Sequence, residues 1–391
     1  MVRDLVRNPD ARSSTGSFRA PTREPLAVHR RLPNYAPTPL VDAPALAGRL
    51  GVGKLWVKDE SNRLGLPSFK MLGASWATYR ALGAHFGIDP EPWADVQELA
   101  AKFAPYRPLA LAAATDGNHG RAVAHVAALL GLEARIFVPV GTATARIEAI
   151  EAEGASCTIV AGTYDDVVRR SAVEAGSHCL LISDTSVPGT QDVPAWVGEG
   201  YSTIFWEVDE QLAERDLGEP DLVVSQIGVG ALASAAVLHY RRPELSPTPA
   251  IVGVEPLAAA CVLASARAGR VVSVPGPHDS IMAGLNCDIP SEIAWPIVSK
   301  GIDLFVAIED DRAREAMREL AVAGVVAGET GAAGLGCLDE ILTGPEAEEL
   351  REFLGLGPQA SVLVLCTEGA TDPGAYEQIV GTRPEDVVRA S

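Results

Sequence analysis

The sequence predicts an α/β fold carried on parallel sheets and divided between two domains. Three observations support this. Apolar runs of four to six residues recur along the chain without strict alternation, the mark of strands covered on both faces. Helix-forming stretches rich in alanine separate these runs, and strands alternating with helices build parallel sheets. The chain has 391 residues, about twice the length of one domain. A chain of that size buries roughly 75% of its unfolded surface and needs no disulfide or metal staple.

Taken in order, residues 1 to 25 are polar and Arg-rich and read as an arm, not a domain. Residues 55–58 form a short strand and 71–86 an Ala-rich helix. Strands follow at 109–114, 134–138, 157–160 and 179–182, with helices at 121–130, 144–153 and 164–175 between them. A longer helical stretch covers 194–215. The alternation then resumes with a strand at 222–225, a helix at 231–241 and a strand at 251–254, and the last clear strand is 361–365. Two sheets follow: one holds the strands from 109 to 182, the other the later strands with the first. Gly198-Glu199-Gly200 marks a soft boundary.

Charge and composition exclude several classes. The chain carries 32 basic and 51 acidic side chains, a net charge of −19, and so acidic a surface repels nucleic acid. No apolar run approaches the roughly 20 residues that span a bilayer. The first residues lack the apolar core of a secretory signal. The 6 cysteines are widely spaced, with no metal-type clustering with the 7 histidines. The expectation is a cytoplasmic protein with no metal, membrane or nucleic-acid partner.

Four segments could carry chemistry. Pro67-Ser68-Phe69-Lys70-Met71-Leu72-Gly73 sets a lysine at the start of an apolar helix. There the helix N-terminus and an apolar setting disfavour the ammonium, as a Schiff-base lysine requires. An ordinary surface lysine is the plainer alternative. Thr115-Asp116-Gly117-Asn118-His119-Gly120 lies after a buried strand and opens a helix. Ligands bind open α/β sheets at such strand ends. Thr115, Asn118 and the loop amides could hold a carboxylate, and Asn118 a phenolic oxygen; a capped turn explains the same residues. Gln226-Ile227-Gly228-Val229-Gly230-Ala231 again joins strand to helix, and its small residues admit a phosphate. It lacks the full Gly-x-Gly-x-x-Gly spacing of a dinucleotide site. Cys366 ends the last strand, where a thiol could meet a ring nitrogen or simply pack as a small hydrophobe. Two weaker pieces complete the set. Asp184 sits at a further strand end, and 328–332 reads as a glycine-rich loop with one acid.

The order of these segments resembles the fold type II pyridoxal phosphate enzymes, the tryptophan synthase β-like superfamily. More closely, the chain resembles the 2,3-diaminopropionate ammonia-lyases. The likeness runs from His29 through Tyr376. It is carried by Asn34-Tyr35-Ala36-Pro37-Thr38-Pro39-Leu40, Phe69-Lys70-Met71-Leu72-Gly73, Thr115-Asp116-Gly117-Asn118-His119-Gly120, Gln226-Ile227-Gly228-Val229-Gly230 and Thr367-Glu368-Gly369. Asp116 is the most specific element, because related serine and threonine dehydratases usually carry a small neutral residue there.

The resemblance implies two α/β domains with pyridoxal 5'-phosphate in the cleft between them. The large domain would be 1–75 with 201–391, and the small mobile one 76–200. Lys70 would be the Schiff-base lysine. Gly228, Val229, Gly230 and Ala231 would bind the phosphate, Asn118 the phenolic oxygen, and Cys366 would sit beside the ring nitrogen. Asp116 and Asp184 would join Lys70 in catalysis, with Thr115, Asp116 and His119 binding substrate. The activity implied is α,β-elimination of ammonia from 2,3-diaminopropionate; a serine or threonine dehydratase-type lyase is the alternative. A homodimer is expected. Cys261 and Cys287 stand in segments similar to family segments that carry cysteines, which offers a disulfide, against the two free thiols that a cytosolic location favours. Three departures stand out: Thr330 and Cys366 where the family more often has serine, and a loosely matching stretch at 187–192.

Overall fold

The apolar runs do pair into two sheets. The computed structural model describes residues 4–115, 117–162, 164–185 and 191–389, with only the backbone of Tyr164 and Asp165. The described chain separates into two compact units, 1–22 with 37–62 and 204–391, and 23–36 with 63–203.

The first unit holds seven strands: β1 (Asp4–Arg7), β2 (Leu40–Asp42), β3 (Lys54–Asp59), β8 (Leu222–Gln226), β9 (Ala250–Pro256), β10 (Leu304–Ile308) and β11 (Ser361–Cys366). The second holds β4 (Ala110–Ala114), β5 (Glu133–Pro139), β6 (Ser156–Val160) and β7 (Cys179–Leu181). The seven-stranded order is β1-β10-β9-β8-β11-β3-β2. Its inner five strands are parallel. The edge strands β1 and β2 are antiparallel to their neighbours. From β8 the chain winds outward through β9 to β10, while β11 lies on the other side of β8. The strand order therefore reverses between β8 and β11, and the open crevice of such a sheet lies there. The four-stranded order is β6-β5-β4-β7, all parallel. Its reversal lies between β4 and β7.

Three expectations need correcting. The N-terminal arm is part of the first unit's sheet, because Leu5 and Val6 pair with Val306 and Phe305. The partner strand β10 is a further buried apolar run, beyond the strands predicted. Residues 328–332 are not a loop: the helix Glu329–Thr343 begins there and is buried along almost its whole length. Residues 23–36, 63–75 and 201–203 belong to the second unit and not with the first. The reason is packing. A Cβ on Gly73 would lie 2.6 Å from the Tyr201 ring, and one on Gly200 would lie 2.5 Å from the Leu72 carbonyl oxygen. The helix Lys70–Phe86 is thus pressed on the helix Asp192–Gly200. His29 ties the same place together through Thr203 Oγ1 (2.8 Å) and the Leu72 carbonyl (3.0 Å).

A buried carboxylate clamps the arm to the first unit. Asp303 receives Arg12 at 2.9 Å, Arg241 at 2.5 Å and the Ile251 amide at 2.8 Å. Arg241 is fully buried, so it depends on this partner. Asp303→Ala should therefore cost about 3–5 kcal/mol, the usual penalty for leaving a buried charge unpaired. Chemical denaturation of the two proteins measures it.

No helix among the described residues is long and apolar enough to cross a membrane. No group of three or more potential metal ligands occurs among them.

Candidate active site

In the second unit, the helix opening at Lys70 and the loops after β4 and β7 meet. Lys70 Nζ donates to Asp184 Oδ2 at 2.8 Å, with both side chains largely shielded, 21% and 13% exposed. The amine also lies 5.5 Å from the centre of the Phe69 ring. Lysine 70 is therefore not in the purely apolar setting expected from its helix: a carboxylate from 114 residues away holds it. Burial is the largest influence and works to raise the Asp184 carboxyl, but the Lys70 charge, His119 and the hydrogen bonds from Lys70 and the backbone together outweigh it and hold the group well below the usual carboxylate range. Asp184 is a firm anion at neutral pH.

His119 stands behind this pair. Its Nε2 lies 2.8 Å from the Ile182 carbonyl oxygen, so that nitrogen carries the proton. Its Nδ1 faces Asp184 Oδ2 at 4.0 Å. The ring is 2% exposed, which suits it to backing Asp184 better than to meeting a substrate. Thr115 is also engaged: its Oγ1 accepts from the Gly117 amide at 2.9 Å and the Gly120 amide at 3.0 Å. That is a capping role, and it occupies two of the amides expected to hold a substrate carboxylate. Asn118 is the first residue of the helix Asn118–Leu130. Asp116 lies outside the described residues, as do 187–190.

Tyr201 completes this half, and sequence reasoning did not pick it as a site residue. Its ring packs on Phe69 at 4.6 Å between centroids. Its hydroxyl is buried and has no hydrogen bond that meets ordinary geometry. Burial pushes the phenol up to about 12, with the Lys70 ammonium pulling down and the Asp184 charge pushing up. No local pattern marks this tyrosine; only its packing does.

In the first unit, the loop after β8 and the end of β11 lie side by side at the sheet's reversal. Gln226 ends β8, and its side-chain amide donates to the Leu365 carbonyl at 2.8 Å. The loop from Gly228 feeds the helix Ala231–Tyr240. Gly230 holds φ at 106°, and a Cβ there would lie 2.9 Å from the Ala294 Cβ. Only glycine fits both constraints. The free amides of this helix start make an anion cradle. Cys366 ends β11, fully buried. Burial, and then the charges of Asp59 and Glu368, push its thiol well above the ordinary range. Its Sγ lies 3.4 Å from the Glu368 carbonyl oxygen. Gln226 Oε1, Thr330 Oγ1 and Thr367 Oγ1 are buried here without partners. A bound polar ring would give such atoms partners that the protein does not. These residues fit a phosphorylated heterocycle. Among the described residues no disulfide joins Cys261 to Cys287.

A shielded lysine on a carboxylate and a glycine-hinged helix start suit an enzyme that holds a phosphorylated aldehyde cofactor. The family model described as pyridoxal-phosphate dependent enzyme matches residues 32–367, and the chain belongs to that family. Within it, the diaminopropionate ammonia-lyase of Salmonella typhimurium is 38% identical over 372 residues, 91% of each chain. The Escherichia coli diaminopropionate ammonia-lyase is 38% identical over 90% of this chain and 89% of its own. A crystal structure of the Escherichia coli enzyme in complex with D-serine superposes with a TM-score of 0.87 at 34% identity, covering 96% of each chain. The chain belongs to the diaminopropionate ammonia-lyase family. Its cofactor is pyridoxal 5'-phosphate.

The cradle is directly testable. Gly230→Ala forces a backbone strain of about 1–3 kcal/mol. It should weaken cofactor retention about tenfold or more, read by equilibrium dialysis.

Proposed function

We propose that this protein removes ammonia from 2,3-diaminopropionate by α,β-elimination, giving pyruvate and a second ammonia. The observation that supports this best is the 38% identity to two diaminopropionate ammonia-lyases across nine-tenths of the chain. The Lys70–Asp184 pair is its structural counterpart.

When bound, pyridoxal 5'-phosphate supplies the electron sink for the α-carbon. The residues of the chain supply the rest. Gly228, Val229, Gly230 and Ala231 would hold the phosphate on backbone amides. Asn118 would contact the phenolic oxygen. Cys366, kept as a neutral thiol, is too weak an acid to protonate the ring nitrogen and leaves a mild sink, which suits elimination. Lys70 is the base for one enantiomer, and Asp116 the base for the opposite face and the other enantiomer. Asp184, ionised at neutral pH, would hold the β-ammonium group. Two acids suit a substrate with two amino groups. His119 would keep Asp184 in place. We place the protein as a homodimer, which sedimentation measures.

The test is keto-acid formation from D- and L-diaminopropionate beside L-serine and L-threonine. Pyruvate from diaminopropionate well above that from serine supports the reading. Turnover of serine or threonine alone would move the function to a dehydratase-type lyase. If Asp116→Asn left both enantiomers equally active, the opposite-face assignment would be wrong.

A further inference from the structure

The cradle after β8 does not shape itself. A trans peptide points its C=O and its N–H opposite ways, so whatever grips a carbonyl aims the amide that follows. The Ser291 amide donates to the Val229 carbonyl at 2.9 Å, which turns the Gly230 N–H to the far side. The Cys261 thiol faces the Gly228 carbonyl oxygen at 4.0 Å, which turns the Val229 N–H away from the thiol. Among the described residues no protein acceptor takes either amide. Gly228 itself is closely packed: a Cβ there would lie 3.1 Å from the Gly284 carbonyl oxygen and 3.3 Å from the Cys287 sulfur.

Gly284, Cys287 and Ser291 all belong to the stretch 269–294, which holds no helix or strand beyond the short turn Ala283–Leu285. A loop that long inside a compact unit is uncommon, and it has no ladder of its own to keep its shape. Side chains hold it instead, and they converge on Asp310. One oxygen of that carboxylate accepts from Ser280 Oγ at 2.5 Å, the other from the Ile281 amide at 3.1 Å. Ser280 passes the hold on. Its Oγ accepts from the Met282 amide at 3.1 Å, and its carbonyl from the Asn286 side chain at 2.9 Å. Residues 280–286 are thus tied together directly before Cys287, with Met282 fully buried. Asp310 opens the helix Asp310–Val322, where the helix dipole favours an anion.

We propose that Asp310 is a positioning residue for the cofactor's phosphate. By gripping Ser280 and Ile281 it fixes the loop that carries Gly284, Cys287 and Ser291, and through them the direction of the Val229 and Gly230 amides. This role rests on the loop after β8 as the phosphate cradle but not on the identity of the substrate.

The test measures how well the cofactor-free protein tells pyridoxal phosphate from pyridoxal. Both carry the aldehyde and only one carries the phosphate, so the ratio of their dissociation constants isolates the cradle. Each is titrated into the unaltered protein, Asp310→Asn and Ser280→Ala, and the bound absorbance is read. Asparagine keeps the shape of Asp310 but cannot accept both hydrogen bonds, because its amide nitrogen must face either Ser280 or Ile281. The preference for the phosphorylated aldehyde should fall about tenfold in Asp310→Asn, the scale of one lost hydrogen bond to a charged group. The affinity for pyridoxal should stay as it was. Ser280→Ala removes the other half of the grip and should lower the preference in the same way. A general loosening of the fold would weaken both aldehydes and leave their ratio alone. A ratio unchanged in either variant would therefore overturn the role of Asp310 while leaving the cradle in place. An unaltered protein that bound the two aldehydes equally would sink the cradle itself, and the role of Asp310 with it.

Discussion

Lys70→Ala should abolish turnover and the cofactor's bound absorbance together. Loss of a group that both bonds the cofactor and moves the proton removes at least the roughly 100- to 10,000-fold that acid–base catalysis contributes. The variant should still fold. Lys70 is the first residue of its helix, and alanine has the best helix propensity. The Lys70–Asp184 pair is largely shielded, 21% and 13% exposed, so the carboxylate left without its partner costs some stability, which protonation of Asp184 limits. Residual phosphate affinity in the first unit's cradle should let the variant bind the cofactor weakly and reversibly, seen by dialysis as binding without the shifted band. A normal band in Lys70→Ala would transfer the role to another lysine and undo the reading of the second unit.

Asp184→Asn should be nearly as damaging to rate, by about 100- to 10,000-fold in kcat if the carboxylate handles charge at the β-nitrogen. The pH behaviour follows from the direction of its shift. Its folded value is depressed below the usual carboxylate value of about 3.9. The stability of its ion pair is thus fully present above that value and is lost only as pH falls below it. No inflection in activity near neutral pH should belong to Asp184. An acid limb should therefore persist in Asp184→Asn while the whole profile drops. If the limb itself vanished, Asp184 would be a titrating base and not a fixed anion. A loss smaller than tenfold would leave it a structural partner of Lys70.

The strand runs were legible because parallel strands buried on both faces must be continuously apolar. β4, β5, β8, β9 and β11 lie within a few residues of where hydrophobicity puts them; β6 does too, although it is a largely exposed edge strand. Lys70, the glycine loop at 228–230 and Cys366 were legible for a related reason: a lysine at a helix start, a small-residue turn and a thiol at a strand end are local features. Sequence order then tied them to a family. What stayed hidden is whatever depends on partners distant in the chain. β1 is a polar edge strand whose pairing is decided by β10, some 300 residues on. The second unit's limits follow from the packing of its helices at Gly73 and Gly200, where close approach excludes a Cβ. The oxygen of Thr115, read as a ligand group, accepts two amides of its own loop, an arrangement no local pattern gives. The charge state around Lys70 could not be read from its helix, because Asp184 and Tyr201 arrive from other segments. Burial strengthens whichever groups arrive there, since little water remains to screen them. The sequence by itself thus determined the α/β class and the family, and singled out Lys70 as the lysine proposed to bond the cofactor. The tertiary structure alone decided which carboxylate holds that lysine and which buried hydroxyl lies beside it.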